Sequence, residues 1–328
     1  SMRYVIVHLF GGTLLLLGIA AHYVATGSLA FDAMTPLDPG AALILAAFLV
    51  NAGAPPLWAW VADAYPEANV TGTVFLSAFT TKAAVYALLR GFPGVELLIP
   101  VGLAMAAYGV VYAAREGDLR RLLAYGIVNQ VGVMLVGIGI GTAMAKNGVA
   151  AQAFTHILYK ALLLMAAGAV LQATGRRSLA EVGGLARSMP WTALLAVVGV
   201  LSMAAPLTLG FVSKSMIAQA AGDLHRIGLW LALAAASAGV FVAVGLRFVW
   251  FTFFGPDSGL RPADPPLHMR LAMLLLASLC VGLGVWYEPL YRLLPFPVDY
   301  APYTGTHVVA QLQLLLGAAL VFFALRRA

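Results

Sequence analysis

Apolar residues run through this chain in blocks of about 20, the length an α-helix needs to cross the hydrocarbon core of a bilayer. Ten such blocks are read at 3–24, 41–62, 69–90, 95–114, 121–142, 148–173, 189–220, 226–254, 268–289 and 304–325. The pattern predicts an all-α polytopic membrane protein. Polar stretches at 175–188 and 255–267 read as connections, and no low-complexity tract or soluble domain stands outside the spans. Two blocks are interrupted: Ala54-Pro55-Pro56 falls inside 41–62, and Ala205-Pro206-Leu207-Thr208-Leu209-Gly210 inside 189–220. Proline removes a backbone N–H and clashes with the preceding turn. In lipid the freed carbonyls must face protein or a water-filled cavity, so a broken span marks a candidate transport site; the plainer alternative is a proline kink. Pro55, Pro56, Pro206 and Gly210 are therefore expected at two helix breaks.

Composition makes the membrane reading firm, with 62% hydrophobic residues, 10% charged and a mean hydropathy of +0.92. No soluble core absorbs so much apolar surface. The first block has full spanning length and lacks a cleavage pattern, so it reads as a span and not as a signal peptide. The single cysteine, Cys280, excludes a disulfide framework or thiolate cluster. The net charge of +6 is scattered between spans without a continuous basic run, which argues against nucleic acid. It sorts by side instead. Arg3, Arg115, Arg120, Arg121, Arg176, Arg177, Arg187, Arg261, Arg270, Arg326 and Arg327 fall on the face of the N-terminus, and Arg90, Lys146, Arg226 and Arg292 on the other. The positive-inside rule then puts both termini in the cytoplasm, in agreement with an even number of spans.

Against this background three lysines stand out, because Lys82, Lys160 and Lys214 each lie inside an apolar run. A lysine at the centre of a spanning helix costs roughly 2.5–3.5 kcal/mol on insertion scales, and such residues usually serve an ion pathway. Lys160 is near the middle of 148–173, and His156 lies one helical turn earlier on the same face. Two groups that take up and release protons thus share one site. Lys82 follows Thr80-Thr81 slightly past the middle of its span, where its stem has the alternative of snorkelling to an interface. Lys214 comes just after the second break, where unwound backbone can admit water. Arg247 sits deep in 226–254 and reads as a structural anchor or fixed field source, since a guanidinium does not exchange protons in proteins.

All thirteen acidic residues lie in loops or near span ends, so no carboxylate is expected at the midplane. A sodium site built from carboxylate oxygens is not expected, whereas a relay of amines, imidazole and water is. No phosphate loop, dinucleotide fingerprint, CxxC pair or metal-ligand spacing appears, so no cofactor and no metal are expected.

Five stretches carry a resemblance to a family: Pro56-Leu57-Trp58-Ala59-Trp60-Val61-Ala62-Asp63-Ala64-Tyr65-Pro66, Phe79-Thr80-Thr81-Lys82-Ala83-Ala84-Val85-Tyr86-Ala87-Leu88-Leu89-Arg90, Asp118-Leu119-Arg120-Arg121-Leu122-Leu123-Ala124-Tyr125, His156-Ile157-Leu158-Tyr159-Lys160-Ala161-Leu162-Leu163 and Gly210-Phe211-Val212-Ser213-Lys214. In this order they resemble the antiporter-like proton-channel family, especially the D-type subunits of Mrp-type multisubunit Na⁺/H⁺ antiporters. Proton-pumping membrane subunits of respiratory complex I and of membrane-bound hydrogenases are similar too. The resemblance implies inverted five-helix repeats, each with a broken helix, and a hydrated polar axis. It places Lys82, His156, Lys160 and Lys214 at proton-relay positions. It also implies a first repeat represented by its last three helices in 1–90, a second repeat in 91–254 with its spans from 95, and two C-terminal spans in 255–328.

Two departures fall on the first repeat. Where the family pattern has a lysine five residues before the proline of the first broken helix, this sequence has Asn51, and an amide cannot carry the proton. A glutamate of the family lies on a helix that would precede residue 1, so further helices are expected from a longer sequence or another chain. The expected function is a proton-conducting, non-enzymatic subunit of a monovalent cation (Na⁺)/proton antiporter in the bacterial inner membrane, with other membrane subunits and the lipid bilayer as partners. Two alternatives remain open at this stage: a pumping subunit of a complex I-like or hydrogenase-like redox complex, and a non-conducting scaffold or inorganic-carbon-uptake module.

Overall fold

In the computed structural model, which describes residues 2–325, the apolar blocks form helices α1 (Met2–Thr26), α2 (Pro39–Ala52), α3 (Ala59–Ala64), α4 (Val70–Gly91), α5 (Leu98–Arg115), α6 (Leu119–Ile140), α7 (Ala143–Thr174), α8 (Pro190–Leu201), α9 (Leu209–Asp223) and α10 (Ile227–Phe254). Helices Leu267–Val285, Glu288–Tyr291 and Gly305–Leu325 follow. Among the described residues eight helices are long and apolar enough to cross a membrane, and the pairs α2/α3 and α8/α9 supply two broken spans. The protein is thus an all-helical, multi-pass membrane protein with the ten expected spans. Of the arginines assigned to the N-terminal face, Arg326 and Arg327 lie outside the described residues.

Local chemistry explains where helices start. Asp38, Asn69, Asp118 and Thr142 each turn a side-chain oxygen onto the first free N–H groups of α2, α4, α6 and α7. For α8, with Pro190 in its first turn, the cap comes from far along the chain: Asp264 accepts from the N–H groups of Trp191 and Thr192 at 3.1 and 3.0 Å. Asp38 has a second partner, the His22 ring at 2.8 Å. That contact, with the Ala41 N–H, holds the Asp38 carboxyl below its ordinary range. A depressed carboxyl stabilises the fold above its ordinary value of 3.8, and the contribution is lost as pH falls through the depressed value. Asp38→Asn keeps the cap but not the charge, so thermal unfolding in detergent should show wild type losing stability on acidification and the variant lacking that component. Identical acid profiles would refute the assignment.

The breaks are compact. Gly53, with φ +78°, closes α2, and Pro55 and Pro56 lie in the turn before α3. Pro206 lies between α8 and α9, followed by Leu207 with φ +66°, a left-handed conformation uncommon for a leucine. Gly210, expected within the break, is instead the second residue of α9. A Cβ there would stand 2.2 Å from the Ser202 carbonyl oxygen, so its bareness lets the half-helices close on each other. The span 226–254 is also less regular than its sequence suggests: Phe241–Leu246 and Trp250–Phe254 are π-helical, with Arg247 between them. Arg247 donates to the carbonyls of Ala113 and Glu116 at the end of α5, the anchoring role expected of it.

At the centre, α6 and α7 are buried on nearly all sides. Small residues bring α5 against α6: a Cβ on Gly102 would lie 2.4 Å from the Gly132 carbonyl oxygen, and one on Gly132 equally close to that of Gly102. Charge collects at one end of the bundle, where Arg3 and Arg121 reach Asp63 at 2.5 Å and Arg177 reaches Asp118 at 2.9 Å. Arg226 pairs with Glu96, at the start of α5, at 2.6 Å.

Candidate functional site

The four titratable residues singled out from the sequence come from three spans that meet on α7. Lys82 lies on α4, His156 and Lys160 on α7, and Lys214 on α9. Lys82 does not snorkel: its buried amine donates to the Ser77 carbonyl at 2.8 Å and to Thr81 Oγ1 at 3.3 Å. Lys160 is completely enclosed, with its amine 3.3 Å from the Leu123 carbonyl of α6. Lys214 Nζ lies 3.5 Å from Ser237 Oγ on α10. It borders a cavity of about 280 Å³ lined also by Phe211, Trp230, His307 and Gln311. His156 is fully buried, edge-on to Tyr159, and neither ring nitrogen meets a hydrogen-bond partner among the described residues.

Packing of α4 and α9 against α7 sets these groups in a row across three helices. No ion pair between a lysine and a carboxylate occurs among the described residues. No group of three or more potential metal-ligating His, Cys, Asp or Glu residues occurs among them either. Such a row can take up a proton at one member and change the proton affinity of the next, which is the requirement for a relay. Asn51, near the end of α2, lies against α1, where Gly11 comes so close that a Cβ there would be 3.0 Å from Asn51 Oδ1.

The amine of Lys160 owes its place to a glycine. A methyl group at Gly126 would stand 2.8 Å from Lys160 Nζ and 3.1 Å from Val244 on α10. Both obstacles are side-chain ends, so Gly126→Ala should fold normally while pushing the amine off the Leu123 carbonyl. A displacement of about 1 Å can cost as much as roughly 100-fold in rate. Proton flux in the assembled protein should fall between about tenfold and 100-fold, and unchanged flux would show that this amine needs no fixed position.

Residues without charge, which the search for titratable groups passed over, complete the site. Asn129 and Gln130 on α6, Gln152, Thr155 and Tyr159 on α7, and Ser213 on α9 are buried and hydrogen-bonded to one another. Their signal was present: an Asn-Gln pair sits in the middle of an apolar block, and Gln152 and Thr155 stand four and one residues before His156.

Known proteins share this arrangement of spans. Residues 1–241 match the family described as NADH:quinone oxidoreductase/Mrp antiporter, TM. The chain is 28% identical over 318 residues to the D-type subunit of the Na(+)/H(+) antiporter of Alkalihalophilus pseudofirmus, covering 89% of this chain and 64% of that protein. It is 30% identical over 335 residues to the hydrogenase-4 component B of Escherichia coli, covering 88% of this chain and 50% of that one. The chain therefore spans one half to just under two thirds of the length of these relatives. The archaeal membrane-bound sulfane sulfur reductase complex contains a chain of the same fold, with a TM-score of 0.83, 30% identity, and coverage of 99% of this chain and 60% of that one.

Proposed function

Because this chain belongs to the NADH:quinone oxidoreductase/Mrp antiporter transmembrane family, we propose that it conducts protons within a multisubunit membrane complex, coupled by partner subunits to movement of a monovalent cation, Na⁺. One observation carries the reading: Lys82, His156 and Lys160 are buried and Lys214 is part-buried beside a cavity, in a row across α4, α7 and α9, with no lysine–carboxylate ion pair among the described residues. Titratable groups so placed are expensive, and those that persist usually mark an ion pathway.

In this reading residues 1–90 are the last three helices of a first repeat, 91–254 a second five-helix repeat, and 255–328 two further spans. Lys82 links the repeats, His156 and Lys160 are the central relay, and Lys214 exchanges protons beside the second break. The proton hops through side chains and water, and charge on one lysine alters the proton affinity of the next. Asn51 interrupts the first half-channel, whereas the second has its full set of groups. The complex lies in the bacterial inner membrane with both chain ends cytoplasmic, which the cluster of Arg3, Arg121 and Arg177 at one end of the bundle supports.

The test is proton flux through the reconstituted complete complex with Lys160 and Lys214 replaced one at a time by alanine. Wild-type flux in an assembled complex overturns the reading. Similarity to hydrogenase-4 component B and to a chain of the sulfane sulfur reductase complex favours a second one, in which the same relay works inside a redox-driven complex. Iron–sulfur subunits co-purifying with the chain would decide for it.

A further inference from the structure

A row of hydrogen bonds without a charged member crosses the bundle from α9 to α5. Ser213 Oγ donates to Gln152 Oε1 at 2.5 Å, and Gln152 Nε2 donates to Gln130 Oε1 at 2.8 Å. Gln130 Nε2 donates to Asn129 Oδ1 at 2.6 Å, and Asn129 Nδ2 to the Ala106 carbonyl at 2.8 Å. All four side chains are fully buried. Tyr159 OH adds a donor to Gln130 Oε1 at 3.2 Å, and Thr155 Oγ1 meets Ser213 Oγ at 2.9 Å.

The direction of this row is set by its far end. A backbone carbonyl only accepts, so Asn129 must turn its NH₂ toward Ala106 and its oxygen toward Gln130. Gln130 must then present NH₂ to Asn129 and oxygen to Gln152, and Gln152 must present its own oxygen to Ser213. The Ser213 proton goes to Gln152 at 2.5 Å in preference to the Leu209 and Gly210 carbonyls at 3.4 Å, so Thr155, whose other acceptor is the Gln152 carbonyl at 3.3 Å, is the donor in its 2.9 Å contact with Ser213. Turning any single amide would set oxygen against oxygen among fully buried side chains, a loss that a buried network does not absorb. Donors aligned in this way polarise one another, and the negative end of the row falls on the Ser213 oxygen.

Ser213 is the chain neighbour of Lys214, and Thr155 that of His156. We propose that Gln152, oriented through Gln130, Asn129 and the Ala106 carbonyl, is a positioning residue for proton transfer. It ties the half-helix carrying Lys214 to the helix carrying His156 and Lys160, and it sets the direction in which the Ser213 and Thr155 hydroxyls point. Amides do not carry the proton, so the row orients the relay and does not conduct. The inference rests on the reading of Lys160 and Lys214 as relay groups.

The experiment measures proton flux against pH in the reconstituted complete complex carrying Gln152→Leu, Ser213→Ala, both together, or Thr155→Val, with Lys160→Ala and Lys214→Ala alongside. Gln152→Leu and Ser213→Ala should each lower flux by about tenfold or more and displace the pH profile. The double variant should be no worse than the poorer single one, since both cut the same row. Thr155→Val should give a smaller loss with a displaced profile. An assembled Gln152→Leu complex with wild-type flux and profile overturns the proposal, as do additive losses with an unmoved profile, which mark packing alone. Should Gln152→Leu fail to assemble, Thr155→Val decides, and wild-type flux and profile in that variant overturn the proposal. Flux that survives Lys160→Ala and Lys214→Ala instead removes the relay reading itself, so the two failures are told apart.

Discussion

Lys160→Ala should abolish proton flux while the complex still assembles. Two opposing terms govern the stability of this variant. Truncating a buried four-carbon stem leaves a cavity of the kind that costs about 2–5 kcal/mol in Leu or Met to Ala substitutions. Against that, the amine itself costs roughly 2.5–3.5 kcal/mol at the centre of a span, and its removal returns that cost. The terms are of similar size, so the protein should remain folded and the loss should be functional. Lys160→Met fills most of the space without a titratable group, which makes it the cleaner variant, and it should be at least as stable as wild type with the same absence of flux. Lys214→Ala removes a side chain that already borders a cavity, so its packing cost is smaller still. Flux assays on reconstituted complexes, with subunit content checked on the same samples, separate these outcomes. Residual flux above a tenth of wild type in Lys160→Met would mean that protons bypass this residue.

Gly132→Ala should damage the fold itself. Alanine gains up to about 1 kcal/mol over glycine in helix propensity, so a substitution without steric conflict would stabilise α6. Here the new methyl would stand 2.4 Å from the Gly102 carbonyl oxygen and 2.8 Å from the Ala106 nitrogen. Both obstacles are backbone, and no rotamer moves them. Overpacking of this kind costs typically 1–3 kcal/mol and occasionally more. Separating α5 from α6 also pulls the Ala106 carbonyl away from Asn129. The net effect should be a lower melting temperature and reduced yield of folded protein. Gly126→Ala, six residues earlier on the same helix, is the internal comparison because the atoms nearest its methyl belong to the side chains of Lys160 and Val244 and not to backbone. Equal melting temperatures for the two variants would refute this account of the α5–α6 contact.

Much of this was legible in the sequence. Apolar blocks long enough to span a bilayer located the spans, since a helix satisfies its own backbone in lipid. The three lysines stood out because charge in such a block is costly, and the structure buries Lys82 and Lys160 and leaves Lys214 part-buried beside a cavity. What stayed hidden depended on distance. That Gly126 makes room for an amine, or that Asn129 meets a carbonyl of the preceding helix, follows from how closely two helices approach, and spacing along one helix does not report it. The direction of the buried amide row was equally out of reach, because it is decided at Ala106, an alanine like many others. The π-helical turns of α10 are a further case: their sequence, Phe-Val-Ala-Val-Gly-Leu, satisfies an α-helix equally well.

Those turns also give α10 a register of its own. A π turn bonds one residue further along than an α turn, so the stretch Phe241–Leu246 behaves as though one residue had been inserted into a continuous helix. Since each residue of an α-helix advances the side-chain direction by about 100°, that insertion decides which residues of α10 share a face across the stretch. Arg247 is pinned to the end of α5, and Val244 lies against Gly126. Against a homologous helix that is α-helical throughout, α10 therefore shifts in phase across this stretch, and residues that would share a face before it are turned apart after it.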